Sequence, residues 1–168
     1  MKINRKICEI RDSIKDDSFA VGFVLYKDAN SISFIGIGVY GQYDGVVFVN
    51  KKKILRYKTK YIDFLNKTID FSKINFNLLL NNIFDFFDCS ITHDRVLFIS
   101  YKTQKYIYEK IVKILSYDEI YVSFLEYNNK MVLKPKIKKI KISSIEYAMI
   151  DSEYTRVLEK AIEIWWTG

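Results

Sequence analysis

The stretch VNKKKILRYKTKYIDFLNKTI, residues 49–69, aligns without a gap onto ISSIEYAMIDSEYTRVLEKAI, residues 142–162. Tyr61 falls on Tyr154, Leu65 on Leu158, Lys67 on Lys160 and Ile69 on Ile162, while Val49/Ile142, Thr59/Ser152 and Phe64/Val157 are chemically similar. Each copy reads as a strand, a Thr or Ser helix cap and a short amphipathic helix, so one supersecondary plan is used twice. The organisation expected from this is a first repeat with its helix over residues 1–70, a connector and helix over 71–90, and a second repeat with its helix over 91–168.

Outward from the first copy, residues 19–27 (FAVGFVLYK), 32–40 (ISFIGIGVY), 46–50 (VVFVN) and 54–58 (ILRYK) are rich in Val, Ile, Phe and Tyr and read as strands. KDANS and GQYDG supply the turns between them, and residues 4–14 fit a strand or a helical turn. Thr59 caps a helix to about Asp70 with Tyr61, Phe64, Leu65 and Ile69 on its inner face, and residues 77–88 (NLLLNNIFDFFD) are helical by period. In the second half, 95–102, 106–115, 119–127, the MVLKPKIKKIKI segment and IEYAMI read as strands, with Pro135 marking an edge or bulge. Asp151 or Ser152 caps a last helix that buries Tyr154, Val157, Leu158, Ala161 and Ile162, a stripe that Trp165 continues.

At 168 residues, 49% of them hydrophobic and 16% aromatic, the chain can bury a real core in one domain or two small ones. It carries 27 Lys+Arg against 20 Asp+Glu, a net charge of +7, which favours polyanions such as RNA, DNA or acidic headgroups. The same Lys-, Ile-, Asn- and Tyr-rich composition also follows from AT-rich codons. Cys8 and Cys89 make no disulfide framework, MKINRKICEIRDSIKDD lacks the apolar segment of a signal peptide, and no stretch approaches a membrane span. A reducing cytoplasm is the expected setting.

Short strands joined by hairpins and closed by a helix describe a small, strongly bent barrel, and Gly36, Gly38, Gly41 and Gly45 stand where such a sheet would curl. The segments FAVGFVLYKDANSISFIGIGVYGQYDGVVFV and IVKILSYDEIYVSFLEYNNKMVLKPKIKKIKISSIEYAMID resemble Sm-like (SH3-like) small barrels, and they are similar to bacterial proteins with a Gly-x-Tyr-Asp-Gly loop followed by a Thr/Ser-x-Tyr helix. Gly41, Tyr43, Asp44, Gly45, Thr59 and Tyr61 carry the likeness; the second copy keeps Ser152 and Tyr154 but has Glu126–Lys130 in place of the glycine loop. The resemblance implies an α+β, mainly β fold of two tandem barrels, each followed by a short amphipathic helix. It also implies RNA or protein partners, and either self-association into rings or two barrels on one chain that satisfy each other's open edges. No binding residue is carried over from that family.

Gly36 to Gly41 spell GxGxxG, but turn and strand residues follow where a dinucleotide site needs a helix. His93 is the only histidine and has no second Cys/His pair for a zinc site, and carboxylate pairs such as Asp16–Asp17 and Asp85/Asp88 suit helix ends and turns. No cofactor, metal or catalytic residue is expected. Binding falls instead to the basic segments: Lys51, Lys52, Lys53 and Arg56, then Lys134, Lys136, Lys138 and Lys139. Alternation puts Lys134, Lys136 and Lys138 on one strand face, about 6–7 Å apart, close to a phosphate repeat. Tyr40, Tyr43, Tyr57 and Tyr127 are placed to stack on bases, and Trp166 to anchor a partner. Edge strands also carry Lys simply to prevent aggregation. The expected function is non-enzymatic binding of RNA or single-stranded nucleic acid; the alternative is an immunity, inhibitor or adaptor module for an acidic protein.

Overall fold

The Val-, Ile- and Phe-rich runs pair into antiparallel sheets in a computed structural model that describes residues 6–13 and 19–166, with side chains through Ile164. The chain divides into two units, residues 1–82 and 83–168. The first contains β1 (Ile7–Arg11), β2 (Ala20–Lys27), β3 (Ile32–Ile37), β4 (Tyr43–Val49), β5 (Ile54–Arg56) and α1 (Lys60–Thr68). The second contains α2 (Ile83–Thr92), β6 (Leu97–Lys102), β7 (Ile107–Tyr117), β8 (Tyr121–Glu126), β9 (Lys138–Lys141), β10 (Ile145–Ile150) and α3 (Glu153–Trp166). Within the first unit the strand order is β5-β1-β2-β3-β4, and within the second β10-β6-β7-β8-β9. Both orders put the fifth strand beside the first, and in both a helix follows the fifth. The protein is α+β and mainly β. Among the described residues neither sheet closes: β4 does not pair with β5, nor β9 with β10.

The likeness extends to single residues. Gly22, Phe23 and Val24 pair with Gly36, Ile35 and Phe34, and ninety residues on, Val112, Lys113 and Ile114 pair with Glu126, Leu125 and Phe124. The register then slips at the same place in each copy, between Val24 and Tyr26 and between Ile114 and Ser116. Such a bulge bends the strand and raises its twist. The next turn repeats too. Asp28 N donates to Ser31 O while its Oδ1 accepts from the amides of Asn30 and Ser31, and Asp118 does the same with Tyr121 and Ile120. Those amide bonds hold both carboxyls below the ordinary aspartate range.

The hairpin loop of the second unit is the first unit's loop without its glycines. Gly41 N donates to Gly38 O and Gly38 N to Gln42 O; Met131 N donates to Asn128 O and Asn128 N to Val132 O. Gly41 sits at φ 79 and Met131 at φ 58, so an ordinary residue occupies a left-handed position that favours glycine. Gly41→Ala should cost about 1–2 kcal/mol, because its Cβ also falls 3.1 Å from Ile69 Cγ1. Met131→Gly should gain about 0.5 kcal/mol once the greater chain entropy of unfolded glycine is set against the relieved backbone. Thermal unfolding of the two variants checks both signs.

Both caps form as expected. Thr59 Oγ1 accepts from Ile62 N at 3.2 Å and Ser152 Oγ from Thr155 N at 3.1 Å. The buried helix faces, however, are turned by one residue. Ile62, Leu65 and Ile69 are buried while Phe64 is 56% exposed; Thr155 is buried while Tyr154 and Val157 are 51% and 59% exposed. The slip is the same in both copies, because position 62/155 continues the 65/158 and 69/162 row at three- and four-residue spacing. Three further expectations are corrected. The helix placed at 77–88 begins at Ile83, after Asn81–Asn82, residues that favour turns and caps. Residues 134–137 are not strand; Pro135 cannot join a ladder, and β9 starts only at Lys138. Val49 lies in β4 but Ile142 in a 3-10 turn, so the gapless alignment holds from the fifth strand onward only.

Burial pushes the Cys8 thiol up to about 12 from 9.0. A thiol with a raised folded value stabilises the fold below pH 9 and withdraws that stability as pH climbs from 9 toward 12. Urea unfolding at rising pH should therefore show a loss approaching about 1.4 kcal/mol per pH unit that Cys8→Val lacks.

Candidate nucleic-acid interface

The net charge is unevenly shared: residues 1–82 hold 14 Lys+Arg against 8 Asp+Glu, and residues 83–168 hold 13 against 12. The first unit is therefore at +6 and the second at +1. In the first unit the β4–β5 connection and β5 present Lys51, Lys52, Lys53 and Arg56. Lys53 is ion-paired with Asp12, and Lys51 lies 3.4 Å from the same carboxylate. The Lys53 hydrogen bond, ahead of any other influence, lowers the Asp12 pKa. Lys52 and Arg56 are exposed and have no ionic partner among the described residues. β5 is paired only to β1 within its unit, so this basic run lies on an outer strand.

Beside it, α1 and β1 hold an aromatic and charged group that the sequence did not single out. Glu9 is 2% exposed; Arg11 Nε and Nη2 donate to its Oε2 at 2.9 and 2.8 Å, and Thr59 Oγ1 donates to its Oε1 at 2.5 Å. The helix cap is thus tied to the first strand through a buried carboxylate. The Arg11 guanidinium lies 4.4 Å from the Phe19 ring centroid, and the Phe19 ring meets Tyr61 edge-on at 5.8 Å. Tyr61 Oη donates to Val39 O at 3.4 Å, which sets the helix against the hairpin tip where Tyr40 is 92% exposed. Phe19 itself is 38% exposed. Aromatic faces together with a basic surface are what a single-stranded chain of bases uses. The spacing of Thr59 and Tyr61 was visible in the sequence, but nothing there showed that Arg11 and Phe19 would meet them.

The remaining residues expected at the interface divide sharply. Tyr43 is 7% exposed, so it is core and cannot stack; as the first residue of β4 its side chain turns inward. Lys134 and Lys138 do not line a phosphate track. They converge on Glu126, 2% exposed, at 3.8 and 2.8 Å, and the Glu126 bond raises the Lys138 pKa. Lys139 rests 4.7 Å over the Tyr121 ring and 4.0 Å from Asp118. Lys136 is exposed. Tyr57 is 40% exposed, and burial of the remainder raises its pKa. The Trp165 and Trp166 side chains and Asp16–Asp17 lie outside the described residues.

The second unit has a cleft of about 770 Å³ between β7, the β8–β9 loop, the end of α2 and α3. Arg95 crosses its floor, with Nη2 2.7 Å from Asp151 Oδ1 and Nε 2.7 Å from Glu159 Oε1. Burial works against the Arg95 charge, but the bonds to Glu159 and Asp151 outweigh it and raise the pKa. Lys113 meets Asp94 at 2.6 Å, and burial raises the Tyr127 pKa. His93, at the rim, has no companions to hold a metal: among the described residues no cluster of three His, Cys, Asp or Glu does so. No described helix is long and apolar enough to cross a membrane. Compared with protein-family models, curated proteins and solved structures, the chain matches none.

Proposed function

We propose that the protein is a non-enzymatic nucleic-acid-binding protein whose first unit contacts RNA or another single strand. The carrying observation is the placement of charge, 14 cations against 8 anions in residues 1–82, beside the exposed Tyr40 tip and the Phe19–Tyr61 pair. Each five-stranded sheet is read as an Sm-like small barrel; the matching bulges in β2 and β7 and the shared strand order support that reading. The second unit contributes little to phosphate binding, since Lys134, Lys138 and Lys139 are engaged by Glu126, Tyr121 and Asp118.

Polarisation titration of a labelled 20-nucleotide RNA of random sequence at 50 and 200 mM salt tests this. Affinity is expected to fall steeply with salt, because each phosphate that a cation neutralises releases a counterion. No binding at 50 mM salt would end the proposal. A basic edge also suits an acidic protein, the second reading, which the apolar Val39 at the hairpin tip, 72% exposed, favours. A partner that still co-purifies after nuclease treatment would select it.

A further inference from the structure

The two copies differ at one hollow, the space between the second strand, the hairpin loop and the trailing helix. In the first unit it is walled by Phe23, Ile37, Tyr43 and Ile69, all at most 9% exposed. What covers them is the chain itself. Past its Ile69 cap the backbone turns back through a 3-10 turn at Phe71–Lys73, the Phe71 and Phe76 rings stand 5.8 and 5.3 Å from Phe23, and Ile74 is buried. By strand register the counterparts of Phe23, Ile37 and Tyr43 are Lys113, Tyr127 and Leu133, and by the helix alignment that of Ile69 is Ile162. These four are half-exposed and all line the 770 Å³ cleft. The helix differs in step: α1 stops at Thr68, whereas α3 runs through the matching Ala161 to Trp166. No described segment of the second unit turns back as residues 69–76 do.

We infer that the cleft of the second unit is a docking groove for a short peptide segment of a partner protein, seated as residues 71–76 are seated in the first unit. An aromatic or branched apolar side chain takes the place of Phe71 or Phe76 over Tyr127, Leu133 and Ile162. The Tyr127 hydroxyl, with no hydrogen-bond partner among the described residues, is available to the peptide main chain. Four cationic and four anionic side chains line the cleft, so it offers no excess charge to a polyanion. The volume lies within the range of enclosed binding sites, and anchoring by a few apolar side chains is a usual mode of peptide capture.

The test is selection of a phage-displayed random nonapeptide library on the whole protein, followed by polarisation with the enriched peptides. Enriched peptides are expected to carry an aromatic or branched anchor and to bind at least tenfold more weakly to Leu133→Glu and to Ile162→Glu, with RNA affinity unchanged in both. Amide chemical-shift mapping on the unaltered protein, expected to centre on Lys113, Tyr127, Leu133 and Ile162, serves where a variant does not fold. No enrichment over blank beads, binding to both variants as tight as to the unaltered protein, or shifts centred elsewhere would overturn the inference.

Discussion

Replacing Arg95 with Met is expected to destabilise the second unit by about 3 kcal/mol at neutral pH. Arg95 bridges Asp151 and Glu159, each held at 2.7 Å, and those carboxylates are only 12% and 18% exposed. Removing the guanidinium takes a hydrogen-bonded counter-charge away from two poorly hydrated carboxylates, while Val96 N stays directed at Glu159 Oε1 at 3.1 Å. Asp151 also sits at φ 57, a backbone position that is tolerated because its side chain is anchored. Lys113→Met is the contrast: its pair with Asp94 is 40% and 76% exposed, so the loss should stay below about 1 kcal/mol. Amide hydrogen exchange across β6 and α3 reads both. Equal effects would mean that the Arg95 network is no more than a solvated surface pair.

Reversing Lys52 and Arg56 together to Glu is expected to weaken RNA binding at least tenfold at low salt and to lower the salt slope by about 2, one for each phosphate no longer neutralised. Both cations are exposed and without an ionic partner among the described residues, so the change removes binding charge without breaking an internal pair. The matched control, Lys136→Glu with Lys139→Glu in the second unit, should leave affinity within a factor of about three, as those two charges act only through the screened field. If the second pair mattered more than the first, the charge on the first unit would be no more than a solvated edge strand guarded by lysine.

Much of the fold was legible because it rests on local rules. The Thr59 and Ser152 caps, the Asp28 turn and the strands rich in Val, Ile and Phe each state their structure within a few residues. The helix faces were misread by one position because Tyr61, Phe64, Tyr154 and Val157 are apolar as well; periodicity alone cannot choose between two adjacent apolar rows. The site was less legible, for a different reason. Whether Lys138 is a phosphate ligand or the partner of a buried carboxylate depends on Glu126, which only pairing of β8 with β9 brings within 2.8 Å. Tyr43 and Tyr40 differ by three residues, yet one is core and the other is a hairpin tip. The cleft, too, is defined by a segment that fills its counterpart about ninety residues earlier, a relation that emerges only once the strands are in register.

The unequal division of labour between the copies is tested most directly by photo-crosslinking the whole protein to RNA carrying 4-thiouridine and mapping the adducts by mass spectrometry. Adducts are expected at Tyr40 and within residues 51–61, with few in 83–168. Adducts confined to the second unit would contradict the account, as would their absence under conditions where the RNA is bound.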